Sequence, residues 1–225
     1  MRGGFRLHPH PAPLLLLLAL LLLGGAVLSE AQPLAPGGGP TLGWLPLDLV
    51  GLNEHLALAG LPQLEPGLLL IGMSYFGERR DGFAVGGLMA FGQSEATRLD
   101  KSVRLSLLFG GPTLEYGELV DEQLGIFVGG LFAPARLTLK VTLHPAEDFD
   151  SGLQRSSGTS LTRSFFLMEL YAGGEWALGE QRLRFSLGYL WAMGMSNWQT
   201  DGRDLPGPPE RFSEPLVQVV FVFGV

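Results

Sequence analysis

Between Gln181 and Met195 the chain reads QRLRFSLGYLWAMGM, a period-two pattern. Leu183, Phe185, Leu187, Tyr189, Trp191 and Met193 fall on one side of an extended chain. The alternate positions are Arg182, Arg184, Ser186, Gly188, Leu190, Ala192 and Gly194, which begin polar and then become small. A strand half-buried in a soluble sheet shows polar residues on its wet face. Here one face is bulky and apolar, and the other is mostly small. The same texture recurs upstream, where Phe83, Val85, Met89 and Phe91 oppose Gly82, Ala84, Gly86, Leu88, Ala90 and Gly92. Small residues let a sheet curl tightly and let a second layer approach closely.

Two architectures satisfy this pattern. A small barrel can turn its bulky face to lipid and its small face to a packed interior, with Tyr189 and Trp191 near a headgroup boundary. A soluble barrel or sandwich can instead turn the bulky face inward and set the glycine face against a helix or a partner. The membrane barrel is favoured by a charged fraction of 16%, against ~25% in ordinary soluble domains. It is also favoured by an export signal, by one-sided long loops and by a final strand that runs to the last residue. Against it stand the terminal sequence Phe221-Val222-Phe223-Gly224-Val225, which lacks a terminal aromatic, and Glu169, which such a barrel tolerates only if its face looks inward.

Period-two segments dominate from Leu68 onward. They run approximately over residues 68–76, 82–97, 102–116, 123–144, 164–178, 182–195 and 214–225. Short polar turns such as GERRD, RLDK and GELVDE join several of them, which makes the sheet mainly an antiparallel meander. The 123–144 segment is long for one strand, so a bend or break at Pro134 is expected and the count is seven or eight. The expected fold is therefore all-β, a meander of about seven or eight strands closed as a small barrel; the alternative is a soluble β-sandwich or barrel. Two connections are long, 145–163 and 196–213. Two strands separate them, so both emerge at one end of the meander and the C-terminus lies at the other.

The N-terminus reads as a signal peptide over residues 1–31. Arg2 and Arg6 precede an apolar run from Leu14, and Ser29 and Ala31 have the spacing of a cleavage site. Cleavage after Ala31 would remove Arg2, Arg6 and Glu30, leaving 13 basic and 21 acidic residues of the original 15 and 22, a formal charge of −8. Such a charge opposes nucleic-acid binding. The chain has no cysteine, which excludes a disulfide framework, a thiol nucleophile and a cysteine zinc site. Residues 32–47 hold four prolines and four glycines and read as a linker before a β domain over 48–225. That domain opens on a short helix over 48–60: Asp48 is a cap, Leu49, Leu52, Leu56 and Ala59 form a stripe, and Gly60 and Pro62 stop it.

No catalytic constellation stands out, and a non-enzyme is expected. His8 and His10 leave with the signal, while His55 and His144 have no ligand partner at metal spacing. The segment DFDSG at Asp148 resembles the start of a calcium loop, but Gly152 and Thr159 stand where ligands belong. A looser site from Glu147, Asp148 and Asp150 is weaker than a solvated acidic loop. Ser74 in GMSYF lacks the second glycine of a nucleophile elbow. Glu115, Glu169 and Glu175 could pair for acid–base work, though strand carboxylates more often plug an interior. No cofactor is expected. The best binding surface is the second long loop, with Trp198, Asp201, Arg203 and Asp204; the plainer reading is that Trp198 packs the loop onto the rim. Small-molecule and protein partners are left open, and a membrane is the expected one.

The spaced features PLDLVGLNEHLALAGLPQL, LEYG and DGRDLPGPP, with glycine-rich strands between them, resemble a group of uncharacterised, exported, glycine-rich prokaryotic β proteins. The resemblance implies an exported β protein and carries no activity to transfer. Together these readings point to a non-catalytic cell-envelope β-barrel, structural or adhesive, in the outer membrane. The alternative is a soluble exported module, periplasmic or secreted, that binds an apolar ligand or a protein.

Overall fold

The computed structural model describes residues 36–143, 157–179, 181–209 and 212–224. All of them belong to one unit, 33–225. The expected signal segment, His144 and the acidic group Glu147, Asp148 and Asp150 lie outside the described residues.

Eight antiparallel strands close on themselves. They are β1 (Gly37–Leu45), β2 (Leu68–Phe76), β3 (Phe83–Arg98), β4 (Lys101–Leu119), β5 (Leu124–Leu143), β6 (Ser157–Leu178), β7 (Gln181–Met193) and β10 (Ser213–Gly224). β1 to β7 pair in chain order, β7 pairs with β10, and β10 pairs back onto β1 to complete the barrel. Two three-residue strands, β8 (Trp198–Thr200) and β9 (Arg203–Leu205), form a hairpin attached to β6 through Thr162 and Gln199.

The eighth strand comes from an unexpected place. β5 is continuous through Pro134, which pairs with Phe166 of β6; only the ladder to β4 is interrupted there, between Ala135 and Leu131. The missing strand is instead β1, within the segment expected to be a linker. Its glycines are the reason it was hidden and the reason it works. A Cβ on Gly39 would stand 1.9 Å from the carbonyl oxygen of Phe221, so only glycine lets β1 lie this close to β10 at the closing seam. Pro40 has no N–H to give, and the β1–β10 ladder skips from Gly38 to Thr41.

The connection between β1 and β2 carries the one helix among the described residues, α1 (Val50–Leu58). Its N-terminal flank is Leu49, not Asp48, although the Asp48 carboxylate accepts the Val50 N–H at 3.1 Å. Gly60 ends the helix at φ +67°, with the Gly60 N–H on the Ala57 carbonyl and the Leu61 N–H on that of Leu56. This paired closure needs a left-handed residue. Leu49, Leu52 and Leu56 are buried in the same apolar cluster as Leu45, Leu68, Val103 and Leu139, while Ala59 of the expected stripe is exposed. The α1 connection, the strand ends Leu143 and Ser157, and the β7–β10 connection all stand at one end of the barrel. The strand termini Gly37 and Gly224 pair at the other.

The bulky faces point outward. Phe185, Leu187 and Met193 are exposed, as are Leu42 and Trp44 of β1, Ile71 and Met73 of β2, Val85 and Met89 of β3, Leu114 of β4, Phe132 of β5, Trp176 of β6 and Phe221 of β10. Gly188 and Leu190 face inward, and so does Glu169, which is fully buried. Arg184, on the same inward side of β7, is 3% exposed and deep in the lumen, because four strands bring carboxylates and aromatic rings to meet it.

Candidate functional site

The lumen has two chemically distinct halves. Toward the α1 end it is filled by Leu45, Leu68, Leu105, Leu107, Phe109, Leu137 and Leu139. Toward the end where the chain termini of the sheet meet, it holds charge. Glu115 of β4 accepts two hydrogen bonds from Arg184 Nη2, at 2.8 and 2.9 Å, one from Arg79 Nη2 at 3.2 Å and one from the Tyr171 hydroxyl at 2.9 Å. Glu175 of β6 accepts from Arg182 Nη1 at 2.9 Å and lies 3.5 Å from Arg184 Nε. The Arg184 guanidinium also sits over the rings of Phe76 and Phe127, 3.6 and 3.9 Å from their centroids. Thr41 with Ser74, at 2.6 Å, and Ser186 with Gln218, at 3.4 Å, extend this polar layer. Arg79 enters from the β2–β3 turn. Burial lowers its pKa from the ordinary arginine value, and the charge of Glu115 opposes that effect.

Ion pairs this deep stand only when geometry and extra hydrogen bonds offset desolvation. Here each carboxylate is engaged by at least two cationic or hydroxyl donors. The enclosed space they leave, bounded also by Thr113 and Val220, is about 20 Å³, room for about one water molecule. Glu115 and Glu175 are thus brought together around Arg184, and each is held by arginine. Glu169, the third carboxylate singled out from sequence, stands apart, and neither of its oxygens has a hydrogen-bond partner among the described residues. The arrangement braces a barrel. Ser74 is likewise spent on Thr41.

The loop surface divides. Trp198 is 3% exposed, so it is not part of an accessible binding face. Its Nε1 donates to the Pro208 carbonyl at 2.8 Å, and the Arg163 guanidinium lies 5.8 Å from its ring centroid. Arg163 in turn donates to the carbonyls of Ser196, Gly207 and Pro209. Together they fasten the β7–β10 connection to β6. A large apolar side chain in a polar loop has most to gain by such packing. Asp201, Arg203 and Asp204 remain exposed on the β8–β9 hairpin, where Asp204 accepts from Gln199 at 3.2 Å. The Arg163 clamp and the Arg79–Arg182–Arg184 cluster were missed in the sequence. The available signal was that Arg182, Arg184, Glu115 and Glu175 all occupy the inward parity of otherwise apolar strands.

No family model matches the chain, and no curated protein sequence matches it. The resemblance to glycine-rich exported proteins therefore finds no support there. Among solved structures the chain is similar to Ail, the attachment invasion locus protein of Yersinia pestis. In its complex with the heparin analogue sucrose octasulfate, Ail aligns at a TM-score of 0.43 and 11% identity, covering 84% of this chain and 100% of that one. A second structure of Ail aligns at 0.40 and 12%, with the same coverage. At that distance the likeness assigns neither family nor activity.

Proposed function

We propose that this chain is a non-catalytic β-barrel of the outer membrane, structural or adhesive, delivered by a signal peptide that is cleaved after Ala31. The observation that carries the proposal is the band of bulky apolar side chains on the outer surface. On β3 the outward positions from Phe83 to Phe91 are Phe, Val, Gly, Met and Phe. Such a run of nine positions rises about 27 Å along the strand and roughly 21 Å along the axis at a tilt of ~40°. The apolar band of known membrane barrels is ~25 Å tall. A monomer in water rarely exposes contiguous apolar patches beyond a few hundred Å², whereas this one surrounds the barrel.

In this reading the α1 end and its long connections face outward from the cell, and the paired strand termini face inward. Asp201, Arg203 and Asp204 on the β8–β9 hairpin are then the polar surface best placed for a partner. The filled lumen supports neither a pore nor an internal apolar-ligand site. Fractionation of the expressing cell tests the reading. Extraction only with detergent is expected; recovery of the mature protein in a periplasmic or medium fraction without detergent would refute it.

A further inference from the structure

The apolar band ends abruptly on β3 to β6, and one furrow on the outer surface crosses that edge. It has a volume of about 610 Å³ and is lined by Met89, Leu108, Gly110 and Phe166 on its apolar part and by Arg136 and Ser164 on its polar part. The register explains this division. Phe91 pairs with Leu108, Leu108 with Arg136, and Arg136 with Ser164, so the cation and the hydroxyl are immediate neighbours in one outward row. Two residues nearer the band, Pro134 pairs with Phe166, and Met89 pairs with Gly110, whose missing side chain leaves the floor open.

Arg136 is exposed and has no carboxylate or hydrogen-bond partner among the described residues. Arg104, four residues farther out on β4 than Leu108, the partner of Arg136, is already engaged by Glu95 through two hydrogen bonds of 3.0 and 2.8 Å. The outward positions of β3 to β6 beyond the band carry Arg104, Arg136 and Lys140 against Glu95 alone, in a chain whose formal charge is −7. A cation with no internal partner at the top of an apolar furrow is complementary to one kind of molecule.

We propose that this furrow docks a membrane lipid with an anionic phosphate headgroup, its acyl chain against Met89, Leu108 and Phe166 and its phosphate on the Arg136 guanidinium and the Ser164 hydroxyl. The inference rests on the membrane reading above. Guanidinium–phosphate contacts are charge-assisted and geometrically specific. The chain outside Arg136 turns polar at once, with Thr138 paired to Ser106 and Thr162, so the phosphate lies where the hydrocarbon ends.

The full mature chain, refolded into phosphatidylcholine vesicles containing a minor fraction of phosphatidylglycerol, provides the test. Protease protection reports insertion, and native mass spectrometry reports lipid retained on the barrel. The wild type is expected to insert and to retain phosphatidylglycerol selectively. Arg136→Gln is expected to insert equally and to lose selective retention by at least about tenfold. Arg136→Lys should restore part of it, and Arg104→Gln should leave it unchanged. Equal retention by wild type and Arg136→Gln, with both inserted, would overturn the lipid site alone. So would an equal loss in Arg104→Gln, which would mean diffuse surface charge. Failure of the wild type to enter vesicles would overturn the membrane reading and the lipid site with it.

Discussion

Replacing Leu187 by arginine measures the solvent that surrounds the barrel. Leu187 points outward from β7 and is 40% exposed, paired with Ala172 on β6 and Val217 on β10, so no lumen contact is lost with it. It lies four residues from Leu183 and six from Met193, the ends of the apolar face of β7. At ~3.4 Å per residue and a tilt of ~40° these separations place it roughly 10 Å from one edge and roughly 16 Å from the other. That is close to the middle of a ~25 Å band, where arginine costs ~2–4 kcal/mol. The folded-to-unfolded ratio should therefore drop roughly 30- to 900-fold. The assay is equilibrium denaturant unfolding of the vesicle-bound barrel, followed by tryptophan fluorescence. Thr138→Arg is the control, because Thr138 faces outward beyond the band and its substitution should stay within about 0.5 kcal/mol. In water, an arginine at an exposed leucine costs little. A Leu187→Arg effect no larger than that of the control would refute the assignment of this face to hydrocarbon.

Three further outcomes are expected. Glu115→Gln removes the charge shared by Arg79 and Arg184 and should destabilise the barrel by ~3–5 kcal/mol, seen as a lower denaturant midpoint; an unchanged midpoint would mean the cluster is not a brace. Gly60→Ala forces a Cβ into the left-handed region at the end of α1, at ~1–2 kcal/mol. Hydrogen exchange should accelerate at Leu56–Leu61 while the strand amides stay protected, and uniform protection would count against the cap. Trp198→Ala should release the β7–β10 connection from Arg163 and Pro208, so that limited proteolysis nicks the loop in the intact barrel; an uncut loop would show that Arg163 alone suffices.

Seven of the eight barrel strands were legible because their apolar positions alternate over many residues. The eighth was not, because Gly37, Gly38, Gly39 and Pro40 carry the composition of a linker. Their use in closing the barrel depends on contact with β10, more than 170 residues away, at Gly38 with Phe223 and Thr41 with Val220. The orientation of the bulky faces was legible only as a choice between two solvents, and Glu169, which counted against the membrane barrel, lies on the inward face that such a barrel requires of it. The charge cluster was legible only as separate residues. Glu115 and Arg184 lie 69 positions apart, and nothing local states that β4 and β7 face one another across the same level of the lumen. Trp198 was legible both as a binding contact and, on the plainer reading, as the residue that packs the loop onto the rim, and it is buried as that packing residue.

Parity along single strands carries the last step. On β4, Leu114 points out and Glu115 points in, while farther toward α1 Arg104 points out and Leu105 points in. On β6, Trp176 points out and Glu175 in, while Ser164 points out and Phe165 in. The alternation never slips, yet the chemistry of both faces reverses partway along the strand. A barrel wholly in water would keep the second arrangement, polar outside and apolar inside, along its whole length, because the first exposes leucine and tryptophan while burying carboxylates and guanidinium ions. A barrel crossing from hydrocarbon into water has reason to hold both. In the membrane reading, apolar side chains within the band meet lipid, and the lumen behind part of it is braced by ion pairs. Beyond it, the outer wall turns polar and the leucines move inside, under Leu52 and Leu56 of α1. The outer wall turns polar at the level of Arg136, several residues beyond the last inward carboxylate, which is why the outer boundary, the furrow and the partnerless cation coincide.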